Sequence, residues 1–222
     1  MTLTLLGLVS VNPVILIPGS MRSRLLVKTN RNPTTFCKPE ELHLGWIRFK
    51  DFLPHRLRCL TEALDVDLDQ DGRPSSVANV SVIPDDFGGL SGVIGTGSSI
   101  FGRQTLIYYG KLVNKLIEVG LQPSRSLRSA PFDWRFGIDQ PKVYYDSLKS
   151  LVEETYNNTG MKVNLVGHSL GGALCNRFLT TQTTPEWRKK YIESQTLVAP
   201  SWSGSGMAFL MFWLPETPFY PE

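Results

Sequence analysis

The sequence contains no run of about 18 apolar residues, so it offers no helix that would span a bilayer. It has no strong excess of charge either. Lys and Arg total 23 against 20 Asp and Glu, and a net charge of +3 is too mild to mark a nucleic-acid surface. No internal repeat is visible. Cysteine is scarce: if a disulfide forms among Cys37, Cys59 and Cys175, one thiol is left over. Histidine is equally scarce, with only His43, His55 and His168.

What is present fits one globular domain with a proper core. The 222 residues are 41% hydrophobic and 19% charged, which is ordinary for such a fold. Residues 1–11 are apolar and fit the core of a signal peptide. No Lys or Arg precedes them, however, and a strand lead-in or a chain whose start is missing fits as well. Asn79-Val80-Ser81 and Asn157-Asn158-Thr159 match the glycosylation acceptor pattern at Asn79 and Asn157, a pattern that also arises by chance.

Val14-Ile15-Leu16-Ile17, closed by Pro18-Gly19, has the continuous apolar character of a strand buried on both faces. Residues 30–75, rich in Pro, Arg and aromatics, are predicted to form an irregular excursion from the core. Residues 85–102 hold many glycines and are predicted to be a loop. Helical spacing of Leu112, Leu116 and Val119 predicts a helix over 106–119, stopped by Gly120. A strand and then a loop follow over 126–134. A second helix over 143–156 carries Leu148, Leu151, Val152 and Tyr156 on one stripe. A buried strand over 161–166, a helix over 174–181 and a strand over 196–199 complete the alternation. Strands alternating with helices of this length imply a parallel sheet with right-handed crossovers.

Chemistry concentrates in Gly167-His168-Ser169-Leu170-Gly171-Gly172. Gly-x-Ser-x-Gly is weak alone. Here it follows the apolar strand residues Val163 to Val166 and precedes a helix, the setting a nucleophile elbow requires. Small neighbours let strand and helix approach, and Ser169 is left exposed on a tight turn as the candidate nucleophile. The Leu170 amide at the helix start is one candidate oxyanion donor. The second is sought in the turn after the first strand, where the Met21 amide is preferred and Ser20 comes next.

Taken together, several segments resemble the lecithin–cholesterol acyltransferase family, which includes a lysosomal phospholipase A with transacylase activity. They are Asn12 to Gly19, Ser129-Ala130-Pro131-Phe132-Asp133-Trp134-Arg135, the elbow, Glu186 to Ile192, and Val198-Ala199-Pro200-Ser201-Trp202-Ser203-Gly204. They occur in family order over about residues 12–205. The resemblance implies an α/β-hydrolase fold: a mostly parallel sheet, helices on both faces, and an inserted lid at about 30–75. It implies acyl-ester chemistry on glycerophospholipids through a serine and an acyl-enzyme, with no metal or organic cofactor. It further implies a phospholipid, lipoprotein or membrane surface as partner, water or a lipid alcohol as acyl acceptor, and a secreted or lysosomal location. Cys37 and Cys59 would be the lid disulfide and Trp46 a lid aromatic that touches lipid. The apolar bulk of Leu42, Leu44, Trp46, Ile47, Phe49, Phe52 and Leu53 agrees with such a lid, although Trp46 also suits ordinary packing. Asp133 and Arg135 suit a structural ion pair better than catalytic groups.

One departure stands out. In this fold the triad runs Ser, then Asp or Glu, then His, yet no Asp and no His follows Ser169. Of the later carboxylates, Glu186, Glu193, Glu216 and Glu222, none has a histidine to orient. His168 would point away from the serine hydroxyl, and His43 and His55 fall in the expected lid. Residues 206–222 show neither helix stop nor strand pattern. We therefore expect one partial domain, incomplete at its C-terminal end, with the sheet edge after 196–199 unpaired. The alternative is a catalytically dead lipid-binding protein.

Overall fold

The computed structural model describes residues 11–30, 37–97 and 106–206. The apolar N-terminal stretch over 1–10, residues 207–222 and the His55 side chain lie outside it. Along the chain come β1 (Val14–Ile17), β2 (Leu25–Thr29), β3 (Glu40–Trp46), α1 (Pro54–Leu64), β4 (Val66–Leu68), β5 (Pro74–Ser76) and β6 (Val80–Pro84). Then follow α2 (Ser91–Ile94), α3 (Gly110–Glu118), β7 (Leu127–Ser129), α4 (Lys142–Thr159), β8 (Val163–His168), α5 (Leu170–Thr181), α6 (Pro185–Tyr191) and β9 (Ile192–Val198).

The main sheet has the order β7-β1-β8-β9, and every pairing in it is parallel. β1 is central and fully buried, which is why it reads as an unbroken apolar run. Its side chains alternate between two cores. Ile15 and Ile17 join Leu148 and Val152 of α4 and Leu174 and Phe178 of α5. Val14 and Leu16 face the other way, toward Val93 of α2 and Val113 of α3. Helices therefore cover both faces, and the architecture is α/β around a parallel sheet. Among the described residues no helix is long and apolar enough to cross a membrane.

Of the stretch 30–75, residues 31–36 lie outside the described residues; the described part takes no place in the main sheet, but it is not irregular. β3 pairs antiparallel with β2, and β2 with β6, giving a separate sheet of order β3-β2-β6. β4 and β5 form a small hairpin, and α1 packs Ala63 against Val27 of β2 and Val80 of β6. The Glu40-Glu41-Leu42-His43-Leu44 pattern hides β3, because its partner β2 lies before the segment and no local turn announces the pairing. Cys37 and Cys59 are bonded, with Cα atoms 5.5 Å apart. Beside them Arg48 and Arg56 both donate to the buried carboxylate of Asp51 and to Glu40. Burial pushes the Glu40 carboxyl up, but the Arg48 guanidinium overcomes this and holds it below its ordinary range.

Other boundaries also differ from expectation. The helix predicted over 106–119 begins only at Gly110. Leu106 has a φ of 52°, Ile107 bridges to Gly95, and Tyr108 turns its side chain toward β1 and β8. Within the stretch predicted to be a loop over 85–102, Ser91–Ile94 form the short helix α2, and residues 98–102 lie outside the described residues. α4 exceeds the predicted 143–156 at both ends and stops at left-handed Gly160. α5 starts at Leu170 rather than 174, because Gly171 and Gly172 sit inside the helix where contact with β1 and Pro200 demands them. β9 begins at Ile192 rather than Thr196. Its exposed Glu193, Ser194 and Gln195 lack the apolar signature of a central strand.

Candidate active site

β8 delivers the elbow. Its last turn of ladder pairs Gly167 with Ile17 of β1 and with Leu197 of β9, so the strand ends between two neighbours. Ser169 follows at φ 53° and ψ −124°, a conformation L-residues adopt only when the surroundings hold them there. The holding bonds are visible. The Ser169 amide donates to the Val198 carbonyl at 2.9 Å, and its own carbonyl accepts from Gly172 and Ser201. Close packing does the rest. A methyl group on Gly167 would lie 2.6 Å from the Gly171 carbonyl oxygen, and one on Gly171 would lie 2.1 Å from the Pro18 carbonyl oxygen.

The turn after β1 lies against this elbow. A methyl group on Gly19 would be 3.2 Å from Ser169 Cβ and 3.1 Å from His168 Nδ1. The Gly19 amide donates to the Tyr108 hydroxyl at 3.2 Å, and the Arg22 amide to the Gly19 carbonyl at 3.2 Å. Of the amides in this turn, those of Ser20 and Met21 remain the candidates for an oxyanion. Met21 has a φ of 60°, and its carbonyl accepts from Trp46 Nε1 at 3.0 Å. Leu170 is the first residue of α5, where an amide has no acceptor within its own helix and the helix dipole is positive.

Among the described residues, the side chain bonded to Ser169 Oγ is Ser201, with the two hydroxyl oxygens 3.3 Å apart. Neither of the two described histidine side chains makes that bond. His168 Nδ1 meets the Tyr108 hydroxyl at 2.5 Å, and burial together with the nearby Arg22 charge holds its pKa below the ordinary value. His43 is engaged with the Glu41 carbonyl and the Glu40 carboxylate. Cys175 is buried in α5, and burial pushes its thiol up to about 12, so it is no nucleophile at neutral pH. No group of three or more His, Cys, Asp or Glu among the described residues could hold a metal ion.

Trp46 ends β3 half-buried, its ring edge-on to Trp134 with centroids 5.0 Å apart. Its Nε1 donates to the Met21 carbonyl, so it also touches the turn that carries Met21. Asp133 and Arg135 form an ion pair at 2.6 Å whose side chains are 7% and 2% exposed. Arg135 also donates to the Asp65 carbonyl and Ser76 Oγ, bracing the hairpin against the segment after β7. Asn79 is exposed in the turn before β6, and Asn157 is exposed on α4. Sequence reasoning missed Tyr108 and Ser201 as members of the site. Ser201 stood in a quoted motif segment, and its place beside Ser169 depends on the chain reversing after β9. Tyr108 had no local signal.

Residues 43–214 match a family model described as lecithin:cholesterol acyltransferase. The chain is 31% identical over 198 residues to the phosphatidylcholine-sterol acyltransferase of Mus musculus, covering 87% of this chain and 44% of that protein. The corresponding protein of Homo sapiens is 30% identical over 198 residues, with the same shares covered. The lysosomal phospholipase A and acyltransferase of Bos taurus is 27% identical over 199 residues, covering 86% of this chain and 48% of that protein. The chain thus spans about half the length of the curated relatives it matches.

Proposed function

The chain belongs to the lecithin:cholesterol acyltransferase family, and from that premise and the elbow geometry we propose that it serves serine-dependent acyl transfer from glycerophospholipids. The observation that carries the reading is Ser169 held at positive φ between β8 and α5, with the Gly19 turn packed against it. Ser169 Oγ attacks the ester carbonyl, and the Leu170 and Met21 amides hold the oxyanion. A base takes the serine proton and returns it to the departing glycerol oxygen. The acyl-Ser169 ester then passes its chain to water or to a lipid alcohol. The fold is an α/β-hydrolase domain, with the excursion at about 30–75 as its lid and Trp46 at the lipid-facing edge. The protein acts at a phospholipid, lipoprotein or membrane surface, secreted or in the lysosome, and Asn79 and Asn157 carry glycans.

A second reading, a lipid-binding protein without turnover, has one observation in its favour. Ser169 Oγ is bonded to Ser201 rather than to a histidine among the described residues, and no histidine follows it in the sequence. Residues 1–222 alone are therefore expected to lack efficient turnover. The protein isolated from its own cells is expected to release labelled fatty acid, or labelled acylated alcohol, from phosphatidylcholine vesicles. Ser169→Ala should reduce this by at least about 10³-fold, the scale on which removal of a nucleophile acts. Vesicle binding with no Ser169-dependent release would favour the second reading.

A further inference from the structure

Two segments of the candidate site meet at one phenol. The Tyr108 hydroxyl lies 3.2 Å from the amide of Gly19, in the turn after β1, and 2.5 Å from His168 Nδ1, at the end of β8. The Tyr108 ring stands 4.2 Å from Tyr109, whose own hydroxyl donates to the Ile17 carbonyl at the end of β1. The Arg22 guanidinium lies over the Tyr108 ring at 5.3 Å. On the backbone, the Tyr108 amide donates to Ile94 at the end of α2. The residue is thus anchored by its own chain while its hydroxyl reaches the two segments on either side of the reaction centre.

A phenol has one hydrogen to give and lone pairs to accept with. An amide nitrogen only donates, so the hydroxyl accepts from Gly19; its single hydrogen is then free for His168 Nδ1, and in the proposed arrangement the second bond runs from phenol to imidazole. His168 Nδ1 is then the bare nitrogen and Nε2 carries the proton. This is the neutral ring that burial and Arg22 also favour. Gly19 immediately precedes Ser20 and Met21, and His168 immediately precedes Ser169. We propose that Tyr108 is a positioning residue: its hydroxyl clamps the oxyanion turn to the nucleophile elbow and fixes His168 as the Nε2–H tautomer. The proposal rests on the reading of Ser169 as nucleophile for its kinetic consequence, but not for the clamp itself. Trp46 holds the same turn through the Met21 carbonyl. Loss of the phenolic hydroxyl therefore loosens the Gly19 end and leaves the Met21 end held.

Tyr108→Phe removes the hydroxyl and keeps the ring contacts with Arg22 and Tyr109. Nitrogen-15 spectra of the wild-type chain should show His168 with an unprotonated Nδ1 and a protonated Nε2. In the variant the two tautomers should mix, and Gly19 amide exchange should accelerate about tenfold, as loss of one net hydrogen bond implies. In the protein isolated from its own cells, phosphonylation of Ser169 by a fluorophosphonate should slow by a similar factor of about tenfold. A wild-type His168 protonated on Nδ1 overturns the proposal, and that spectrum decides it even if the variant does not fold. A folded variant with unchanged His168 and Gly19 signals, or with unchanged Ser169 labelling, overturns it too. Absence of Ser169-dependent labelling in the wild type would overturn the nucleophile reading instead. The clamp would then stand or fall on the nitrogen spectra.

Discussion

Gly171→Ala is expected to destabilise the chain by about 3 kcal/mol or more, the upper range for overpacking, although alanine is the better helix former. In an open helix the same change would stabilise by about 1 kcal/mol. Here the added methyl would lie 2.1 Å from the Pro18 carbonyl oxygen and 2.5 Å from that of Ile17. Both are backbone atoms at the end of the central strand, and neither can swing aside. To make room, α5 must move away from β1, taking the Leu170 amide and Ser169 away from the turn they face. Gly172→Ala should cost less, because its methyl would meet Pro200 Cβ at 2.9 Å in a segment near the chain's exposed edge. Urea denaturation of both variants checks the ranking. Equal or reversed costs would mean that the approach of α5 to β1 is looser than described.

Arg135→Ala should cost about 3–5 kcal/mol, the range for removing one partner of a buried ion pair. The Asp133 carboxylate would be left without its guanidinium, and the hairpin β4–β5 would lose its tie through Ser76 Oγ and the Asp65 carbonyl. The cost comes chiefly from the stranded charge, so the double variant Asp133→Leu/Arg135→Met should recover much of the loss. Thermal and urea unfolding of single and double variants measures this. A single variant within about 0.5 kcal/mol of wild type would show that water reaches the pair, as at a surface site.

These two sites differ in how openly the sequence displays them. Gly171 belongs to a five-residue pattern whose chemistry and geometry are local. A tight strand-to-helix turn needs small residues at fixed offsets, so Ser169 and its glycines are visible without the fold. β1 is visible for a similar reason: burial on both faces leaves an unbroken apolar run, while β8 shows buried Val163 and Leu165 running straight into the elbow pattern. The buried Asp133–Arg135 pair is legible only as a resemblance to a family segment. Its ties to Asp65 and Ser76 cross 59 or more positions of sequence. β3 is hidden because its partner β2 lies before the excursion with no local turn between them, and β9 because its side chains Glu193, Ser194 and Gln195 are exposed. Tyr108 and Ser201 reach the site only through tertiary folding, from 60 and 32 positions away from His168 and Ser169 respectively. A tyrosine before a helix and a serine after a proline carry no local mark of that destination.

The central claim is that Ser169 is the group that takes the acyl chain. The most direct measurement is peptide-level mass spectrometry after exposure of the protein isolated from its own cells to a fluorophosphonate, in parallel with Ser169→Ala produced in the same cells. A single phosphonyl adduct is predicted on the peptide containing Gly167-His168-Ser169-Leu170-Gly171, formed at native fold and lost on prior heat denaturation. No adduct is predicted in the alanine variant. An adduct of undiminished yield in Ser169→Ala, or labelling that falls on Ser201 in place of Ser169, would contradict it.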